Sequence, residues 1–253
     1  MILDKFSLKD KVAIVTGSST GLGQGICYSF IQAGAKVVGV DYVESTDTAE
    51  KIKEMGGEFL GLVANLMTME PLQGIVDQTV AKFGKVDILV NNAGIIRRED
   101  AVNFSEKDWD DVININQKTV FFLSQAVAKE YIKQETGGKI INIASMLSYQ
   151  GGIRVPSYTA SKSAVKGLTM AMANEWAKYN INANAIAPGY MATNNTAQLR
   201  ADAQRSEAIL DRIPAGRWGT PDDLQGTAVF LASEASAYVN GFTIAVDGGW
   251  LAR

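Results

Sequence analysis

Apolar residues in this chain fall into two alternating patterns. Short, nearly unbroken apolar runs occur at Val12 to Thr16, Lys36 to Val40, Glu58 to Ala64, Val86 to Val90, Lys139 to Ala144, Ala183 to Ala187 and Phe242 to Val246. Between them lie longer stretches with apolar positions three and four residues apart: Leu22 to Ala33, Thr46 to Met55, Glu70 to Phe83, Glu106 to Gln134, Tyr158 to Tyr179 and Pro221 to Ala232. The runs fit strands covered on both faces, and the periodic stretches fit amphipathic helices. Their alternation predicts an α/β fold, a doubly wound sheet of about seven parallel strands with helices on both faces. No linker, repeat or low-complexity segment interrupts it, so a single domain is expected over 1–253. The segment 193–213 is polar and helix-prone with few apolar anchors; it reads equally as a substrate lid or as an ordinary surface helix pair.

The first strand-to-helix turn reads KVAIVTGSSTGLGQGI, with glycines at Gly17, Gly21 and Gly23 around Ser19, Thr20 and Leu22. Glycines there let backbone approach a pyrophosphate, which the amides and dipole of the following helix attract. The spacing is not that of the commonest dinucleotide fingerprint, but its place in the first unit makes the sheet Rossmann-like. The second expected strand ends at Asp41, at the roughly 20-residue spacing where a carboxylate accepts from a ribose 2′-hydroxyl and repels a 2′-phosphate. No lysine or arginine stands among Ser18, Ser19 and Thr20, which also favours NAD over NADP. A solvated turn residue is the alternative for Asp41.

The chemistry concentrates between Gly137 and Lys162. Ser145 closes the fifth expected strand; Tyr158 and Lys162, four residues apart, share one helical face. A tyrosine with its usual pKa of about 10 becomes a usable base near a fixed cation, and a serine at the strand end can bind the same substrate oxygen. Other small or polar residues mark cleft-edge loops: Asn92, Ala93 and Gly94, and then Pro188, Gly189, Tyr190, Met191 and Thr193. Arg97 and Arg98 follow the first of these, and Gln150 and Arg154 lie in the loop between Ser145 and Tyr158. Asn116, a polar residue among apolar ones inside a helical stretch, reads most simply as a satisfied structural amide.

The sequence contains no histidine, which removes Ser-His-Asp catalysis and His-ligated metal sites. Cys27, the single cysteine, sits in an apolar helical pattern and reads as core. A net charge of −3 favours neither nucleic acid nor anionic membrane, and no apolar run is long enough for a bilayer. A cytoplasmic protein is the corresponding expectation.

With these residues in view, the whole chain resembles the short-chain dehydrogenase/reductase family. The resemblance rests on Thr-Gly-x-x-x-Gly-x-Gly at Thr16 to Gly23, Asn-Asn-Ala-Gly at Asn91 to Gly94, Ser145 with Tyr-x-x-x-Lys at Tyr158 to Lys162, and Pro-Gly-x-x-x-Thr at Pro188 to Thr193. It implies that Tyr158 is the catalytic acid-base, that Ser145 polarises the substrate oxygen, and that Lys162 lowers the tyrosine pKa and holds the nicotinamide ribose. Asn116 would anchor a water relay, and Asn65 and Leu66 would border adenine, with Asn65 where the family commonly has aspartate. Several stretches, RIPAGRWGTPDDL among them, are similar to members acting on deoxy sugar acids, which implies an NAD-dependent oxidation of a secondary alcohol. A carboxylate substrate fits bidentate arginine, with Arg154 and one of Arg97 or Arg98 as candidates. Oxidation of gluconate or another polyol, and a catalytically inactive nucleotide-binding protein, are the alternatives. The C-terminal VDGGW resembles tetrameric members, so a homotetramer is expected.

Overall fold

In a computed structural model that describes Met1–Arg253, seven strands form one parallel sheet in the order β3-β2-β1-β4-β5-β6-β7. They are β1 (Val12–Thr16), β2 (Lys36–Asp41), β3 (Phe59–Val63), β4 (Ile88–Asn91), β5 (Gly138–Ile143), β6 (Ile181–Pro188) and β7 (Thr243–Val246). The α-helices are α1 (Gly21–Gln32), α2 (Thr46–Glu54), α3 (Pro71–Phe83), α4 (Glu106–Ile113), α5 (Thr119–Gln134), α6 (Pro156–Trp176), α7 (Ala197–Ala201), α8 (Ala203–Leu210) and α9 (Pro221–Ala232). The doubly wound sheet is therefore present, with strand ends within a residue or two of the apolar runs. The short helices α7 and α8 occupy the polar segment.

The strands read as unbroken apolar runs because both faces are covered. Ala13, Val15, Val37, Ile88, Val90 and Ile141 face Ile26, Cys27 and Phe30 of α1 and Leu224, Ala228 and Leu231 of α9. The intervening Ile14, Val38, Leu89 and Ile140 face Ile75 of α3, Leu123 and Tyr131 of α5 and Met172 of α6. Fully burying each of these aliphatic side chains contributes roughly 1.5–3 kcal/mol. Cys27 lies in the first layer, as its surroundings predict, and burial pushes its thiol far up.

One expected element is altered. The stretch Glu106 to Gln134 is not one helix: Asn114–Lys118 form a π turn between α4 and α5, closed by Thr119 N donating to Asn114 O. An inserted residue leaves helical dihedrals and most of the apolar spacing intact, so periodicity alone passes over it. The turn carries Asn116, which is fully buried.

From β1 the chain winds outward through β2 and β3, and from β4 outward the other way through β7. The carboxyl ends of β1 and β4 thus diverge at a switch point, where crevices form in such sheets.

Candidate active site

Three loops meet at that switch point. Gly17 and Gly21 have φ of 69° and 59°, a region open to glycine, and a Cβ on Gly23 would stand 2.0 Å from the Gly17 carbonyl oxygen. The Thr20 side chain makes no capping hydrogen bond, so the first amides of α1 remain available as donors to a pyrophosphate. Thr16 Oγ1 accepts from Asn92 N and Ala93 N, both at 3.0 Å. Asn92 Nδ2 donates to Thr16 O at 2.9 Å and Gly17 O at 3.2 Å, locking the two motifs together. Asp41 accepts from Ser19 N at 2.9 Å and Tyr42 N at 2.7 Å.

A cleft of about 510 Å³ opens here. It is lined by Gly17, Ser19, Thr20, Gly21, Leu22, Asp41, Asn65, Leu66, Asn92, Ala93, Gly94, Tyr158, Lys162 and Thr193. These residues fit a dinucleotide: a glycine turn with open amides at one point, and a carboxylate at a strand end beside it. Tyr42, Ala64, Met67, Ile95, Ile115, Ile143, Asn194 and Asn195 also line the cleft; the apolar ones carry the same pattern as core, and Asn194 and Asn195 lie in a polar segment where nothing sets them apart. Gly23 lies under the turn against Gly17. The loop after β6 is placed differently: Pro188 pairs with Val246 in the sheet, while Gly189, Tyr190 and Met191 line a separate hollow of about 200 Å³. The amide oxygen of Asn65 accepts from Met67 N at 3.0 Å, so it shapes its own turn.

Ser145 ends β5 and caps a short 3₁₀ turn, accepting from Leu147 N at 3.1 Å. Its hydroxyl lies close enough to the phenol of Tyr158 to lower the cost of ionising it. Burial pushes that phenol above 10.0, while the Ser145 hydroxyl and then the charge of Arg98 pull it down. Lys162, one turn along α6, is 4% exposed; its Nζ donates to Ile143 O at 2.5 Å and stands 5.7 Å from the Tyr158 ring centroid. Burial draws its ammonium down to about 8. The cation acting on the phenol here is Arg98, with the Lys162 ammonium turned to the strand end.

Asn116 accepts from Ile95 N and donates to Ile95 O, both at 2.9 Å, and donates to Ser161 Oγ at 3.2 Å. Ser161 Oγ in turn donates to Tyr158 O at 2.8 Å. The amide is thus satisfied by protein, and the π turn is what aims it at the loop after Gly94. It ties that loop to the first turns of α6.

The arginines separate by their partners. Arg97 pairs with Asp108 at 3.3 Å and Asp111 at 3.9 Å. Arg154, with φ of 63°, pairs with Asp100 at 2.9 Å and Glu99 at 3.6 Å. Arg98 has no carboxylate partner; its Nη2 donates to Asn195 O at 3.3 Å, on the cleft lining. Gln150 Oε1 accepts from Trp250 Nε1 at 3.2 Å and Arg212 Nη2 at 3.4 Å, and Tyr190 packs between Trp218 and Trp250. Of the expected substrate residues, Arg97, Arg154, Gln150 and Tyr190 are engaged by protein partners, Tyr158 lines the cleft, and Arg98 meets a cleft residue without a carboxylate partner.

A family model described as enoyl-(acyl carrier protein) reductase matches residues 17–251. The 2-dehydro-3-deoxy-D-gluconate 5-dehydrogenases of Escherichia coli (strain K12) and Dickeya dadantii (strain 3937) are each 68% identical over 253 residues, covering 100% of both chains. A gluconate 5-dehydrogenase from Burkholderia cenocepacia, solved with NADP and tartrate, superposes with a TM-score of 0.95 at 38% identity, covering 100% of each chain. Motifs, sheet order and full-length similarity agree. The chain belongs to the short-chain dehydrogenase/reductase family, oxidoreductases that act on CH–OH groups with a nicotinamide dinucleotide.

Proposed function

We propose that this chain oxidises the 5-hydroxyl of 2-dehydro-3-deoxy-D-gluconate, reversibly, with NAD. The observation that carries the reading is the cleft that brings Tyr158 and Lys162 onto one wall with the glycine turn and Asp41, next to the β5 end where Ser145 stands. Full-length identity of 68% to two relatives of that activity supports the substrate.

Tyr158 Oη removes the substrate hydroxyl proton, and the Ser145 hydroxyl donates to the same oxygen as its charge changes. The hydride leaving the carbon that bears this oxygen would pass to a nicotinamide bound in the cleft. Lys162, its ammonium held at the end of β5 by Ile143 O, supplies a donor for the cofactor ribose, and Arg98 supplies the charge that draws the phenol down. Arg98 holds the substrate carboxylate at the mouth, where its bond to Asn195 O also ties it to the segment 193–213. That segment closes as a lid: α7 buries no residue and α8 buries only Ile209, so little holds its outer part down. Asp41 supports NAD, because Lys162 is the one cation lining the cleft and nothing positive faces a 2′-phosphate near Asp41.

The reading extends to a cytoplasmic homotetramer. β7 ends the sheet as an open edge, and Phe242 beside it is 61% exposed. Light scattering on the purified protein tests the assembly.

The direct experiment is the initial rate of NADH and NADPH formation with this sugar acid and with gluconate. A saturable NADH rate with the deoxy sugar acid is expected. A higher kcat/KM for gluconate moves the substrate to the polyol class, and no turnover with a cofactor that binds leaves a nucleotide-binding protein.

A further inference from the structure

We infer that Trp250 is a positioning residue for substrate capture, pinning the loop after Ser145 and the segment 203–213 at one point near the C-terminus. This rests on the proposed reaction for its kinetic readout only.

Trp250 begins a 3₁₀ turn at the end of the chain and is 4% exposed. Its Nε1 donates to Gln150 Oε1 at 3.2 Å, and Arg212 Nη2 donates to the same oxygen at 3.4 Å. The Arg212 guanidinium also lies 4.1 Å from the Trp250 ring centroid, which closes a triangle of indole, amide and cation. Gln150 stands on the short turn that Ser145 caps: Gln150 N donates to Met146 O at 3.2 Å. A shift of Gln150 therefore reaches the catalytic serine within one turn of chain.

The same ring anchors the lid. Ile209 and Ile213 pack with Trp250 and Met146, and Ile209 is the one buried residue of α8. Ala215 N donates to Gly248 O at 2.9 Å, and Arg253 Nη1 donates to Asp211 O and Arg212 O at 3.2 and 3.1 Å. The lid is thus fastened at its C-terminal end to the tail and at its other end to Arg98.

Trp250→Phe keeps an aromatic ring and removes the indole donor, together with the pyrrole half of a side chain that packs against Met146, Ile209 and Ile213. Loss of one ordinary hydrogen bond is expected to raise the sugar-acid KM about fivefold, with kcat within about twofold and the cofactor KM unchanged. Amide exchange at 203–213 should quicken while exchange in the sheet does not. Gln150→Met removes that bond and the one from Arg212, so it should raise KM at least as much, and the double variant should lose less than the two single effects combined, because both include the Trp250–Gln150 bond. An unchanged KM with unchanged exchange, additive losses in the double variant, or faster exchange throughout the sheet would overturn the inference. If the wild-type protein does not turn over the sugar acid, the proposed substrate falls, and the exchange comparison still decides on Trp250.

Discussion

Lys162 pays a pH-dependent stability cost that a single substitution exposes. Burial draws its ammonium from 10.5 to about 8, which corresponds to about 3 kcal/mol. Because the folded value is the lower one, the unfolded chain binds more protons between them, so this group makes stability rise with pH in that window. The penalty is fully present below about pH 8 and is relieved as pH climbs towards the unfolded value. Lys162→Met removes the titration. It also removes the bond from Nζ to Ile143 O, worth about 1.5–3 kcal/mol for a charged donor, so at neutral pH the two effects largely offset. The slope is the clean observable: wild type should gain about 2 kcal/mol on the variant between about pH 7.5 and about pH 10. Urea unfolding of cofactor-free protein at one protein concentration measures it, and a gap that does not change with pH would refute the reasoning.

Three further outcomes are expected. Arg98→Met should raise KM for the sugar acid about 10- to 100-fold, as loss of a charge-assisted pair requires. It should also shift the rising, acid-side limb of the kcat/KM profile to higher pH, because the guanidinium pulls the Tyr158 phenol down; a neutral polyol should show only the pH effect. Asp41→Ala should narrow the preference for NAD over NADP, read as the ratio of the two kcat/KM values, and an unchanged ratio would remove Asp41 from cofactor choice. Gly23→Ala should abolish cofactor binding in a fluorescence titration, because the added Cβ would stand 2.0 Å from the Gly17 carbonyl oxygen, and that neighbour is backbone.

The sequence by itself determined the fold and the strand end and helix face on which Ser145, Tyr158 and Lys162 lie. Strands such as β1 and β4 bury both faces, so their runs admit few polar residues and stand out from the helices. Ser145, Tyr158 and Lys162 were legible because a strand end and an i, i+4 pair fix direction locally. The glycine turn was legible because only residues without Cβ tolerate the approach between Gly17 and Gly23. Tertiary structure decided which partners each charge and amide met. Nothing along the chain showed that Glu99 and Asp100 would take Arg154, that Asp108 and Asp111 would take Arg97, or that Arg98 would meet Asn195 with no carboxylate partner. The π turn that aims Asn116 at Ile95, and the tail that brings Trp250 to Gln150 across 100 positions, were equally invisible. The physical reason is common to all of them: hydrophobic period records which side faces the core, whereas ion pairs and side-chain hydrogen bonds depend on distances set only when separate elements pack.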